Sequence, residues 1–223
     1  MLGFARWTLV GCAAFFASHA QANELRGGVP EGLPSVTISK GEYSDTQPTG
    51  VMLKCVTQAA GIKVHWDFYP TLRLINMTAA GELDLMYPMG FNAERDQTLR
   101  RSDFVLKTRD IWIFKGSRPN LESKTTVKVA VKSGSPQLDY LKKLGFTSIG
   151  QTDSYESLLK MLDSGNIDAI AVPELAYSSL KTTVNWELKT DVLFERDVGF
   201  YMSQRVDSKL AERINTAIKG CRK

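Results

Sequence analysis

The turn Ser133-Gly134-Ser135-Pro136 is where this sequence most clearly offers chemistry. It follows an apolar run, Val127 to Val131, that reads as a strand, and Pro136 suits the first position of a helix. A strand that ends in a small polar turn and re-enters the fold as a helix presents free backbone N–H groups at the positive end of a helix dipole. Both favour an anion. Ser135 is placed to cap the helix, and Lys132 adds a positive charge beside the turn. The same residues also describe an ordinary capped helix. A phosphate-binding P-loop is excluded, because its glycine and lysine spacing is absent.

A second candidate is Asn92-Ala93-Glu94-Arg95, after a strand that ends near Tyr87-Pro88. Asn92 suits a cap, and an arginine in the first turn is the side chain best shaped to grip a carboxylate with two parallel hydrogen bonds. The alternative is a solvated surface arginine. Tyr43, Tyr69, Tyr87 and Phe91 fall near strand ends, and Arg73 lies one turn into its helix. Ligands of open α/β sheets bind beyond the carboxyl ends of strands, and aromatic walls suit small molecules, so these join the candidates.

Other chemistries find less support. His65 sits in the middle of a strand, and neither GxSxG nor GxGxxG occurs. Two histidines, and three cysteines without a CxxC pair, argue against a metal centre. The net charge of +4 is spread along the chain and does not suggest nucleic acid. No cofactor is expected. Glu174 opens a helix at a strand end, which keeps acid–base chemistry by a carboxylate open.

The elements that must position these residues read as two α/β series. With 43% hydrophobic and 23% charged residues, the 223-residue chain can bury a real core. Residues 23–34 are rich in Gly and Pro and read as a leader loop. Strands follow at Val36–Ser39, Ile62–Phe68 and Leu83–Met86, with helices at Val51–Ala60 and Pro70–Ala80 between them. Residues 41–50 read as a loop. Ala93–Arg101 reads as a helical connection, Asp110–Phe114 as a strand and Lys115–Asn120 as a linker. The second series has strands at Val127–Val131, Thr147–Ile149 and Ile167–Val172. Its helices run from Pro136 to Leu144, from Tyr155 to Asp163 and from Pro173 to Thr183. A strand at Asp197–Met202 and an amphipathic helix at Asp207–Gly220 close the chain. Strands alternating with helices imply mostly parallel sheet.

The N-terminus reads as an export signal. A short basic stretch through Arg6 precedes an apolar core, Trp7 to Ala17, and Ala20-Gln21-Ala22 supplies small residues for cleavage after Ala22. The apolar run is short for a membrane anchor. Leu9-Val10-Gly11-Cys12 is a weaker, lipobox-like alternative. Cleavage leaves Cys55 and Cys221, and an exported chain with an even number of cysteines suggests a disulfide, with two buried thiols as the alternative.

Together, four ordered segments resemble the bacterial periplasmic solute-binding proteins of the amino-acid-binding family, over roughly Val36 to Ala217. They are Ala80-Gly81-Glu82-Leu83-Asp84, Glu94-Arg95 followed by Ser102, Val129 to Ser135 with Asp139-Tyr140, and Ser164 to Ala169. The resemblance implies an α/β, two-lobed periplasmic-binding-protein-like fold, each lobe a mostly parallel sheet flanked by helices, joined by a hinge. The first lobe would span residues 23–115 and be completed by 191–223, and the second would span 116–190. The returning tail would bring Cys221 near Cys55. The implied ligand is a small carboxylate held by Arg95 and the Ser133-Gly134-Ser135 turn. An inner-membrane permease or a sensor would be the partner, and the protein would be a monomer in the periplasm. Two departures stand out. The family's amine-binding Asp position is occupied by Pro173, with Glu174 beside it, so either Glu174 substitutes or the ligand lacks an α-amine. Residues 41–50 are short and lack the family's aromatic-rich hairpin. The resemblance extends to cyclohexadienyl dehydratases, in which case Glu174 would serve as a general acid.

Overall fold

The computed structural model describes residues 24–33 and 35–222, with only the backbone of Ser179. The expected signal segment, its cleavage site at Ala22, and Cys12 lie outside the described residues.

The first series runs β1 (Leu25–Pro30), β2 (Val36–Ser39), β3 (Glu42–Asp45), α1 (Pro48–Ala59), β4 (Val64–Tyr69), α2 (Thr71–Ala80) and β5 (Leu85–Gly90). The second runs β7 (Val129–Lys132), α3 (Pro136–Lys143), β8 (Ile149–Thr152), α4 (Tyr155–Asp163), β9 (Ala169–Pro173) and α5 (Glu174–Thr183). Two long strands, β6 (Arg100–Lys115) and β10 (Leu188–Met202), join them, and α6 (Ser208–Cys221) ends the chain.

Eight strands form one sheet in the order β4-β1-β5-β10-β6-β9-β7-β8. β1 pairs parallel with β4 and β5, and β7 pairs parallel with β8 and β9. Each half therefore repeats one pattern, with its first strand in the middle. The antiparallel pair β6–β10 lies between them. β5 pairs with β10 at residues 198–202, and β9 pairs with β6 at residues 110–113. This order turns the carboxyl ends of the two central strands, β1 and β7, toward the same region.

Four readings change. Residues 25–30 are a central strand, not a leader loop, despite Gly27 and Gly28. A side chain at Gly27 would meet Trp66, and one at Gly28 would meet Leu74 and Leu83, so the glycines let bulky neighbours lie directly on the strand. Val36–Ser39 leaves the main sheet and pairs with Glu42–Asp45, so a hairpin does form where residues 41–50 read as loop. Ala93–Arg101 is not a helix. It holds a single 3-10 turn, Arg95–Gln97, and β6 begins at Arg100. β6 and β10 are also much longer than their apolar segments, because their flanks are charged and half-exposed.

Separate apolar cores fill the halves. α1 and α6 pack over β1 and β5 through Leu53, Val56, Ile214 and Ile218, and α2 covers the other face through Leu74. In the second half, Leu158, Leu162 and Ile170 form one core and Val129, Val131 and Leu141 another. A Cys55–Cys221 disulfide ties α1 to α6, with Cα atoms 6.0 Å apart. Among the described residues, no helix is long and apolar enough to cross a membrane.

Candidate ligand-binding site

The carboxyl ends of β1, β5, β7 and β9 surround a cavity of about 80 Å3, room for a few waters. From the first half come Glu31, Thr71, Gly90 and Arg95. Lys132, Ser135, Gln137 and Tyr155 come from the second. Thr108 and Asp110 on β6 and Arg196 on β10 close the floor.

Asn92 positions Arg95, as its Oδ1 accepts from the Arg95 N–H at 2.9 Å and fixes the 3-10 turn. The Arg95 side chain is buried. Its Nη1 donates to the Gly90 carbonyl at 2.7 Å and its Nη2 to the Gly134 carbonyl at 2.8 Å. One guanidinium thus joins the end of β5 to the turn before α3. Burial lowers its pKa to about 10, which leaves it charged at neutral pH.

Two more bonds cross in the same way. Lys132 Nζ donates to the Glu31 carbonyl at 2.6 Å and stands 5.0 Å from the centre of the Tyr155 ring. Asn92 Nδ2 donates to Asp139 on α3 at 3.0 Å. Burial lowers the Lys132 pKa, and Glu31 and Asp153 oppose that shift.

Ser135 stands at the N-cap of α3, but its hydroxyl caps nothing and has no partner. The contrast with α4 is direct, because there the Ser154 hydroxyl accepts from the Ser157 N–H. A buried hydroxyl without a partner at a helix start is unusual and points to a missing one. Ser133 extends the β7–β8 pairing by donating its N–H to Thr152, and Gly134 contributes its carbonyl to Arg95.

Asp110 and Arg196 carry no motif and were not among the expected site residues. Asp110 is fully buried. Arg196 donates to its Oδ2 through Nε at 2.8 Å and through Nη2, and donates from Nη1 to the Phe91 carbonyl. Asp110 Oδ1 has no partner, and neither has Gln137 Oε1. Burial raises the Asp110 pKa. Arg196 holds it back, as does the Gln137 amide alongside, which makes no hydrogen bond to Oδ1.

The structure does not bring the other candidates to this cavity. Tyr87 is fully buried, stacks on Phe200 at 4.5 Å and donates to the Thr49 carbonyl. Tyr43 packs edge-on against Trp66 and Tyr87. Tyr69 packs with the α2 core, and exposed Arg73 lies over its ring. Phe91 packs on Tyr201. Glu174 pairs with Arg109, at 2.6 and 3.0 Å, with both side chains well exposed. Only Arg95, Lys132 and Ser135 of the expected set line the cavity. Asp110 had one visible signal: it heads an otherwise apolar strand segment, Ile111–Phe114.

No protein-family profile and no curated protein matches this chain. Solved structures do. An ancestral arginine-binding protein bound to glutamine is 21% identical, covers 89% of this chain and 92% of its own, and has a TM-score of 0.73. A histidine kinase sensor domain with similarity to periplasmic binding proteins is 14% identical, covers 90% of both chains and has a TM-score of 0.77. The arginine-, lysine-, histidine-binding protein ArtJ from Geobacillus stearothermophilus is 17% identical over 88% of each chain, with a TM-score of 0.73. With its doubled parallel motif and joining strands, this chain has the fold of the periplasmic amino-acid-binding proteins.

Proposed function

We propose that this protein is a non-enzymatic periplasmic solute-binding protein that captures a small carboxylate, an amino acid or related compound, for an ABC transporter. One observation carries the reading: Arg95 from the first half and Ser135 from the second line the same cavity, and the Ser135 hydroxyl has no partner. Guanidinium has five N–H donors, and the two carbonyl bonds leave others for a carboxylate. The Ser135 hydroxyl and the start of α3 complete the anion site. Structural neighbours named as arginine-binding proteins and as the substrate-binding protein of an amino acid ABC transporter support the same reading.

The lobes would be residues 23–115 with 191–223, and residues 116–190. They would move about β6 and β10, of which β10 pairs with the first half through β5 and β6 with the second through β9. An 80 Å3 cavity with three bonds across it corresponds to a closed arrangement that must open to admit a ligand. The Arg109–Glu174 pair, outside the cavity lining, speaks against Glu174 as a general acid.

A thermal-shift screen of the L-amino acids and small organic acids tests the proposal. A ligand at 100 times its dissociation constant stabilises the folded state by about 2.7 kcal/mol. Absence of a shift with every compound would contradict it. The kinase sensor neighbour supports a second reading, a sensory module that uses the same site. Neighbouring permease and ATPase genes would favour transport, and a kinase gene would favour sensing.

A further inference from the structure

Asp110 is the one buried carboxylate of the cavity wall, and half of it is unused. Both Arg196 donors fall on Oδ2, which leaves Oδ1 buried without a hydrogen bond. An ionised carboxylate oxygen can only accept, so what is missing there is a donor. Gln137 Oε1, 2% exposed and also lining the cavity, is a second acceptor without a partner. Leaving such groups unpaired costs stability, whereas one ammonium group, with three N–H donors and a positive charge, can satisfy both.

The neighbouring residues leave this role to Asp110. Pro173 stands directly opposite it across the β6–β9 pairing and brings no side-chain donor or acceptor. Glu174, the next residue, is held by Arg109 and does not line the cavity. Arg196 neutralises the Asp110 charge in part but covers only one oxygen. Arg95 and Lys132 add cationic groups to the same wall, for the carboxylate of the ligand.

We propose that the cavity contains a cation subsite, in which Asp110 Oδ1 with Gln137 Oε1 receives the ammonium group of the ligand. This rests on the carboxylate site proposed above and narrows the ligand to a zwitterion.

Matched pairs that differ only by the amine test it: glycine with acetate, L-alanine with propanoate, and L-glutamate with glutarate, titrated calorimetrically. Wild type should bind the amino member of at least one pair about tenfold to a hundredfold more tightly than its partner, the range expected of a charge-assisted hydrogen bond. Asp110→Asn should shrink that preference to about threefold or less, with little change for the amine-free acid. Glu174→Gln should leave the preference intact. Because Asp110→Asn leaves Arg196 without its partner, the double variant Asp110→Asn/Arg196→Met is made alongside, removing both charges together. Equal affinity within every pair, a preference that survives in both Asp110 variants, or a preference lost in Glu174→Gln would overturn the subsite while leaving the carboxylate site standing. Failure of all six compounds to bind wild type, together with no shift from any other L-amino acid in the thermal-shift screen, would count against both.

Discussion

Arg95 Nη2 donates to the carbonyl of Gly134 at 2.8 Å, a single bond that joins the 3-10 turn after β5 to the turn before α3. The same guanidinium holds the Gly90 carbonyl, so both partners lose their donor if it is removed. Arg95→Ala should therefore destabilise the protein without ligand by about 1–3 kcal/mol, measured by urea denaturation. A change too small to measure would mean that these bonds do not persist in solution.

Gly134 stands at φ +68°, a left-handed conformation that costs a residue with a side chain about 1–2 kcal/mol. A Cβ there would also lie 2.6 Å from Leu72 Cδ2 on α2, in the first half of the fold. Gly134→Ala should lower the melting temperature and weaken ligand binding together. Adding Leu72→Ala should recover part of the binding but none of the backbone strain. Recovery of both would show that the contact alone sets the requirement for glycine.

The Cys55–Cys221 bond closes a separation of 166 residues and fastens the last helix to the first. Chain entropy sets its stabilisation at about 5 kcal/mol at most, and measured values for disulfides centre on about 2–4 kcal/mol. Cys55→Ala/Cys221→Ala should lose stability in that range and become insensitive to dithiothreitol. Wild type should lose a comparable amount on reduction. Equal stability of the oxidised and reduced protein would contradict the account.

Asp110 should leave a signature in the pH dependence. Its folded-state pKa is raised above the ordinary 3.8 by burial, so between those two values the folded protein binds more protons than the unfolded chain. Its contribution is fully present below about pH 3.8 and is lost as pH rises through the folded-state value. The stability difference between wild type and Asp110→Asn, followed from pH 3 upward, should shift against wild type over that window. Affinity for an amine-bearing ligand should move the other way and strengthen as Asp110 ionises. A difference flat in pH would show that Arg196 fully offsets the burial.

Much of the frame was legible because helices and strands leave periodic traces. The span of α4 matches its reading residue for residue, Tyr155 to Asp163, and α2 and α5 differ by a residue at one end. β1 was hidden because its glycines serve tertiary packing by Trp66 and Leu74, which no local pattern records. The aromatic candidates show the opposite failure. Tyr87 lies inside β5, which runs on to Gly90, and its ring packs against Phe200, so burial took precedence over exposure to a ligand. Arg95 and Ser135 were legible through their motifs. Asp110 and Arg196 lie 86 residues apart and meet only because β6 and β10 pair side by side, so their ion pair has no sequence signal.

The central claim is that Arg95 holds a ligand carboxylate, and the most direct test is the affinity of Arg95→Lys for the amino acid that wild type binds most tightly. Lysine keeps the charge but loses the planar two-pronged geometry. Calorimetry should show a dissociation constant raised about tenfold or more, with the circular dichroism spectrum unchanged. A dissociation constant within about threefold of wild type would contradict the account.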